Sequence, residues 1–338
     1  MINIQTEVPL APLTTFKVGG AARFFTRAES EEDVAGAFDY ARANSLPLFV
    51  LGGGSNILVS DDGFDGLVLQ IALKGIDRDN EIVTAQAGED WDPFVAMCVE
   101  QDLAGVECLS GIPGLAGGTP VQNVGAYGQE VSETIVSVRC FDRARGTIND
   151  LSAAACEFTY RSSIFNSTER DMHVVLSVSY VLNPGGAPKI AYKDLREHFA
   201  GNDPSLRQVR DAVLNIRRSK SMVIGENDPN SRSAGSFFKN PIVSQAKFDE
   251  ISERSSPPSF PSADGVKIPA AWLIENSGFY KGFKLGNAGI STRHSLAVVN
   301  LGGATAAEIV GLKEKIQAGV LREFDILLEP EPVFVGFD

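Results

Sequence analysis

Three stretches of this 338-residue chain carry side chains that could do chemistry. The first is Gly235-Ser236-Phe237-Phe238-Lys239-Asn240-Pro241, where a hydroxyl stands between a glycine and two aromatics, a setting for a dry, shaped pocket. It is not the Gly-x-Ser-x-Gly elbow of an acylated serine, because Ala234 and Phe238 occupy the glycine places. A serine that only donates a proton needs no elbow, only placement. Lys239 and Asn240 beside it could bind phosphate or sugar. The second is Thr159-Tyr160-Arg161-Ser162-Ser163. Its guanidinium either forks onto a carboxylate, two oxygens at once, or lies in solvent beside a packed tyrosine. The third is the pair Glu329 and Glu331, one proline apart, which an extended backbone puts on one face. Both are either solvated or part of a site.

Two glycine clusters could bind rather than react. Gly52-Gly53-Gly54-Ser55-Asn56 follows an apolar run directly, and bare backbone N–H groups there could approach an oxyanion. A second strand, not a helix, comes next and GxGxxG is absent, so it is no Rossmann fingerprint. The second cluster runs from Gly111-Ile112-Pro113-Gly114 through Gly117-Gly118-Thr119-Pro120 to Val121-Gln122-Asn123-Val124-Gly125-Ala126-Tyr127-Gly128. It has no GKS or GKT ending, which disfavours NTP hydrolysis. Together the clusters suit either plain turns or a large dinucleotide-like ligand.

The elements that must hold these residues alternate early in the chain. Ala22 to Thr26 reads as a strand. Ser30, with Glu31, Glu32 and Asp33 behind it, starts a helix that Asn44 and Pro47 end. Leu48–Leu51 and Ile57–Val59 are strands around the first glycine cluster. A second unit begins near Leu67. In it Glu81 to Ala87 alternates as a strand, and Asp92-Pro93 opens a helix with Asp as cap. Residues 107–128 form a long loop, ordered or disordered. Thr134–Phe141 and Thr147–Leu151 make a hairpin around Arg145-Gly146, and His173–Leu182 is a further strand. Leu206, Val209, Val213 and Ile216 line one face of a helix ending in Arg217, Arg218 and Lys220, cations suited to a C-terminus. The polar stretch 225–233 reads as a linker. Thr305 and Glu308 announce a last helix, followed by a strand over Ile326–Leu328.

Composition bounds the rest. Thirty Lys+Arg against 43 Asp+Glu give a net charge of −13, which argues against nucleic acid or anionic lipid as partners. With 43% hydrophobic and 22% charged residues the chain is globular rather than disordered. No secretory leader pattern and no run of about 20 apolar residues is present, so a cytoplasmic protein without membrane insertion is expected. Cys98, Cys108, Cys140 and Cys156 lie in apolar runs without CxxC spacing, and three histidines show no ligand pattern. Buried free thiols and no metal site follow.

The ordered set GGGSN, GIPG…QNVGAYG, YR, GSFFKNP and a late PE, running from Phe16 to Glu331, resembles the UDP-N-acetylenolpyruvoylglucosamine reductase family of flavoenzymes. Ala271-Trp272-Leu273-Ile274, Tyr280-Lys281-Gly282 and Gly289-Ile290-Ser291 add to the likeness. The resemblance implies an α+β chain with a vanillyl-alcohol-oxidase-type FAD-binding fold of two subdomains and a C-terminal α+β substrate-binding domain. The expected division is 1–67, with 321–338 returning to it, then 68–220, then 221–320. It implies non-covalent FAD held by Gly52, Gly53, Gly54, Ser55, Asn56, Gly111, Ile112, Pro113, Gly114, Gly118, Thr119, Gln122, Asn123, Gly125, Ala126 and Tyr127. It implies that NADPH reduces FAD and leaves, and that the enolpyruvyl sugar nucleotide then takes the hydride to become UDP-N-acetylmuramate for the cell wall. Arg161 would steady the charge on the carboxylate, Ser236 deliver the proton, and Glu331, protonated, assist. Tyr160, Lys220, Lys239, Asn240 and Lys281 would bind substrate, and Tyr192 resembles the tyrosine of a mobile loop in one of two family types. Val-Arg usually follows the glutamate, but here Pro332-Val333 does, which leaves Glu329 as the alternative. No obligatory protein partner is implied. Two other readings are an oxidase of the same fold and a silent nucleotide-binding scaffold.

Overall fold

Ser30 accepts a hydrogen bond from the Asp33 N–H while the Asp33 carboxylate takes the Ser30 N–H, a reciprocal cap that starts the Glu31–Ala43 helix. The structure, a computed structural model, describes residues 2–225 and 227–337. They fall into two compact units, one within 1–8, 22–54 and 65–219, the other within 9–21, 55–64 and 220–338.

Beside two short two-stranded sheets, two larger ones lie mainly in the first unit. In one, the strands run in the order Gln5–Pro9, Ala21–Ala28, Phe64–Ile71, Leu48–Leu51, the last two parallel with Leu48 opposite Leu67. The other is an antiparallel five-stranded sheet, ordered Thr147–Ser152, Ile135–Asp142, His173–Val181, Ile82–Gln86, Ile76–Asp79. Apolar residues at alternate positions of these strands, among them Leu67, Leu69, Val83, Ala85, Val138 and Val178, form one core. Trp91, Phe94 and Tyr180 pack together at its centre, with ring centroids 5.3–5.8 Å apart. The helix over Trp91–Glu100 begins after Asp90, two residues earlier than the Asp92-Pro93 signal suggests. Asp92 is therefore no cap, and its carboxylate is spent elsewhere.

The second unit is built around the Ala306–Phe324 helix, whose Thr305–Glu308 capping box is as expected. Two of its first N–H groups also bond the Asp61 carboxylate, at 2.7 and 2.9 Å. Ile309, Leu312, Ile316 and Val320 bury one helix face against Leu273, Ile290 and Val298. Two facts correct the sequence reading here. The terminal strand lies at Val333–Val335, not Ile326–Leu328, and pairs in parallel with Ile57–Val59. An apolar Ile-Leu-Leu mimics a strand locally, but only the later segment has a partner. The expected linker is instead a packed turn: Asn230 accepts from Ser291 Oγ and the Thr292 N–H, and Ser231 Oγ donates to Gly225 O. Glu226, within it, lies outside the described residues.

Candidate active site

In the first unit the two glycine clusters meet. A Cβ added to Gly53 would stand 2.7 Å from the Gly114 Cα, so only glycine permits this crossing of backbones. The second cluster is ordered, and laid along the start of the Trp91–Glu100 helix. The Trp91 N–H donates to Gly114 O at 3.0 Å, the Ala116 N–H to Glu89 O at 2.8 Å and the Gly111 N–H to Asp92 Oδ1 at 2.6 Å. Arg210, on the Leu206–Ser219 helix, forks onto both Asp92 oxygens at 2.6 and 3.1 Å. Burial works against the Asp92 charge, but Arg210 and the Gly111 N–H outweigh it and hold this carboxyl below its ordinary value. Farther along, Thr119 Oγ1 shares a 2.8 Å hydrogen bond with the buried Tyr180 hydroxyl.

Arg161 sits at the tip of a two-residue turn closed by reciprocal bonds between Thr159 and Ser162. Its φ of +56° is left-handed, as are those of Asn123 and Tyr127, +44° and +51°. Non-glycine residues held this way mark sites where position outweighs backbone comfort. The buried Asn123 ties the parts together, its Nδ2 donating to Thr159 O at 3.0 Å and Glu130 Oε2 at 2.9 Å. A Cβ on Gly125 would stand 3.3 Å from Arg161 Nη1, so the guanidinium lies against the QNVGAYG backbone. Tyr160 stacks loosely with it, 5.7 Å from ring centroid to Cζ. Tyr192 caps no turn by side chain but precedes the Lys193–Phe199 helix, edge-on to Tyr127 at 5.4 Å.

In the second unit, residues 237–239 run antiparallel to 329–331. Phe238 bridges Pro330, the Glu331 N–H donates to Phe237 O at 2.9 Å, and the Lys239 N–H to Glu329 O at 2.9 Å. Phe237 and Phe238 are buried in the core and fix this pair from beneath. Ser236 and Glu331, both half-buried, thus stand on neighbouring segments, and Asn56 Nδ2 donates to Glu331 O at 3.2 Å. Glu329 faces outward, its side chain 69% exposed and paired with Lys239 Nζ at 2.5 Å. Asn240 turns its Oδ1 to the Ala270 N–H, capping the Ala270–Glu275 helix. Lys220 follows the Leu206–Ser219 helix, half-buried, and Lys281 is exposed on the loop before Lys284–Leu285. Ser55 begins the second unit's share of the first glycine cluster, where Thr15 Oγ1 donates to Ser55 O at 3.4 Å.

Comparison with known proteins gives this geometry its context. Residues 228–335 match the model of the UDP-N-acetylenolpyruvoylglucosamine reductase C-terminal domain, and residues 22–152 that of an FAD binding domain. A UDP-N-acetylenolpyruvoylglucosamine reductase of Thermobifida fusca is 47% identical, over 99% of this chain and 98% of its own length. The chain belongs to the UDP-N-acetylenolpyruvoylglucosamine reductase family. The enzyme of that name from Streptomyces coelicolor is 44% identical over 98% of this chain and 90% of its own. The crystal structure of the Thermus caldophilus reductase superposes with a TM-score of 0.70 at 26% identity, covering 99% of this chain and all of that one. The α+β class with an FAD-binding part and a separate C-terminal domain is therefore as expected.

The residues present fit FAD, the cofactor of the family. Atoms built as Cβ on Gly52 and Gly118 meet nothing within 4 Å, so both loops offer bare backbone to open space. Arg217 was not legible as part of this region. It is 7% exposed, hydrogen-bonded to the Tyr127 hydroxyl, and not a solvated helix-end cation. Burial pushes the Tyr127 phenol up to about 12, against the pull of that guanidinium. The signal was present: Arg217 follows Val213 by four residues and so shares its buried face. The four cysteines are free and buried, as expected. No helix among the described residues is long and apolar enough to cross a membrane.

Proposed function

We propose that Arg161, Ser236 and Glu331 carry the chemistry of this family member. The chain is an FAD-dependent oxidoreductase that reduces the enolpyruvyl ether of UDP-N-acetylglucosamine to UDP-N-acetylmuramate in peptidoglycan synthesis. NADPH is the reductant. FAD, which the two glycine loops would hold, would supply the hydride chemistry, with addition at the methylene carbon of the substrate. That addition leaves negative charge spread into the substrate carboxylate, and Arg161, rigidly set on its turn, binds both carboxylate oxygens. Ser236 gives its hydroxyl proton to the neighbouring carbon, and Glu331 hydrogen-bonds beside it.

The register of residues 237–239 against 329–331 supports these roles, because it puts Ser236 and Glu331 on adjoining segments and turns Glu329 out to Lys239. That favours Glu331 over Glu329 as the working carboxylate. Gly52 to Asn56, Gly111 to Gly114, Gly118, Thr119, Gln122, Asn123 and Gly125 to Tyr127 hold FAD in this reading. Tyr160, Tyr192, Lys220, Lys239, Asn240 and Lys281 hold the sugar nucleotide, in a cytoplasmic enzyme without an obligatory protein partner. The finer division at 67/68 into two flavin-binding subdomains belongs to the same proposal. Purified protein tests the reading: anaerobic NADPH should bleach the flavin spectrum, and the enolpyruvyl nucleotide should restore it far faster than air. A flavin that NADPH cannot bleach overturns it. Fast reoxidation by air alone would make the chain an oxidase.

A further inference from the structure

Glu107 is a carboxylate that the chemistry above does not use, yet it is only 1% exposed. Burying an ionised group without compensation is costly, so its partners report what it is for. Oε2 accepts from the Gly105 N–H at 2.8 Å. Oε1 accepts from Gln129 Nε2 at 3.2 Å and from the Lys189 N–H at 2.8 Å. All three are neutral donors. Lys189 Nζ turns away to Glu133 at 2.6 Å, so the attachment is made by backbone. From the other side Cys108 Sγ donates to Lys189 O at 3.1 Å. Burial pushes the Cys108 thiol up to about 12, which keeps it protonated and a donor.

Lys189 is three residues before Tyr192. Three residues beyond Tyr192, Leu195 is fully buried in a cluster with Cys108, Val209, Ala212 and Val213. The segment is a strap fastened at both ends, with Tyr192 at its crest, 42% exposed and edge-on to Tyr127. Of the two fastenings, the Leu195 end is apolar and non-directional. The Lys189 end is directional, and a directional bond sets where the crest lies.

We propose that Glu107, aided by the Cys108 thiol, is a positioning residue that fixes the Tyr192 strap for binding of the sugar nucleotide. The proposal rests on the reading of Tyr192 as a substrate contact. Glu107→Gln keeps shape but turns an amide NH₂ toward one of three donors, losing an acceptor where none can be spared. In steady-state assays of the FAD-loaded enzyme, KM for the sugar nucleotide should rise about tenfold and kcat change less than about threefold. Hydrogen exchange should speed at residues 189–192 in the same variant. Cys108→Ala, which removes a single heavy atom, should do both to a lesser degree, and it stands in should Glu107→Gln fail to fold. Wild-type exchange at 189–192 with wild-type KM in both variants would overturn the proposal. Tyr192→Ala separates the two layers: unchanged KM there refutes the substrate contact, while the exchange of residues 189–192 in Glu107→Gln still decides the fastening.

Discussion

The glycine loops of the first unit and the paired segments of the second solve positioning in opposite ways. In the loops the backbone is the proposed ligand contact, and side chains work at a distance to hold that backbone: Asp92 and Arg210 at Gly111, Tyr180 at Thr119, Asn123 between Thr159 and Glu130. In residues 237–239 and 329–331 the backbone does the holding, through its own pairing, and leaves the side chains for the proposed chemistry. Binding of a large cofactor tolerates many modest contacts, whereas proton delivery depends on one atom. Mutations in the two regions should therefore differ in kind as well as in size.

The largest expected effect tests the reacting side. Ser236→Ala should slow reoxidation of the flavin by the enolpyruvyl nucleotide by ~10²–10³ while NADPH bleaches it at the wild-type rate. Stopped-flow absorbance reads both half-reactions, and an equal loss in each would erase the contrast. On the binding side, Gly53→Ala drives a methyl into the Gly114 backbone, 2.7 Å away. Such overpacking costs about 1–3 kcal/mol, so the dissociation constant for FAD should rise about ten- to a hundredfold on reconstitution of the apoprotein. Retained affinity would mean the loops part without consequence for the cofactor.

Smaller effects sharpen the comparison. Asp92→Asn should cost about 1–2 kcal/mol in urea unfolding near neutral pH, since its pair is half-screened by solvent. Asp92 has a depressed folded value, so its contribution is present above the ordinary carboxyl pKa of 3.8 and lost as the pH falls below it. Wild type and variant should converge there; a gap that persists in acid would show that packing, not charge, anchors the loop. Glu329→Gln should be the mildest change. It releases Lys239 from an exposed pair, shifting KM for the sugar nucleotide by less than about threefold. A drop as large as that of Ser236→Ala would move the working carboxylate to Glu329.

Local signals were readable and non-local ones were not. Ser30 with Asp33 and Thr305 with Glu308 name their helix starts because cap and partner lie three residues apart. The hairpin turning near Arg145-Gly146 was equally plain. The Val333–Val335 strand was missed because its partner, Ile57–Val59, lies far back in the chain. Asp92 looked like a cap because Asp-Pro is a strong local cue, while Arg210, 118 residues on, is what claims it. Motif order identified the family, yet it could not tell Glu329 from Glu331. That distinction depends on which carboxylate Lys239 pulls outward.

The meeting of Glu331 with Asn56, 275 residues apart, has a consequence for synthesis on the ribosome. The first unit needs nothing beyond residue 219, so it can fold while the rest is still being made. Residues 9–21 and 55–64 must meanwhile wait, and the Ile57–Val59 strand stays without its parallel neighbour until residues 333–335 emerge. A chain arrested between these points would hold a folded flavin-binding unit beside an open strand edge, a surface prone to wrong pairing. The proposed assisting carboxylate, Glu331, thus arrives well after the first unit is made, and competence for reduction waits for it.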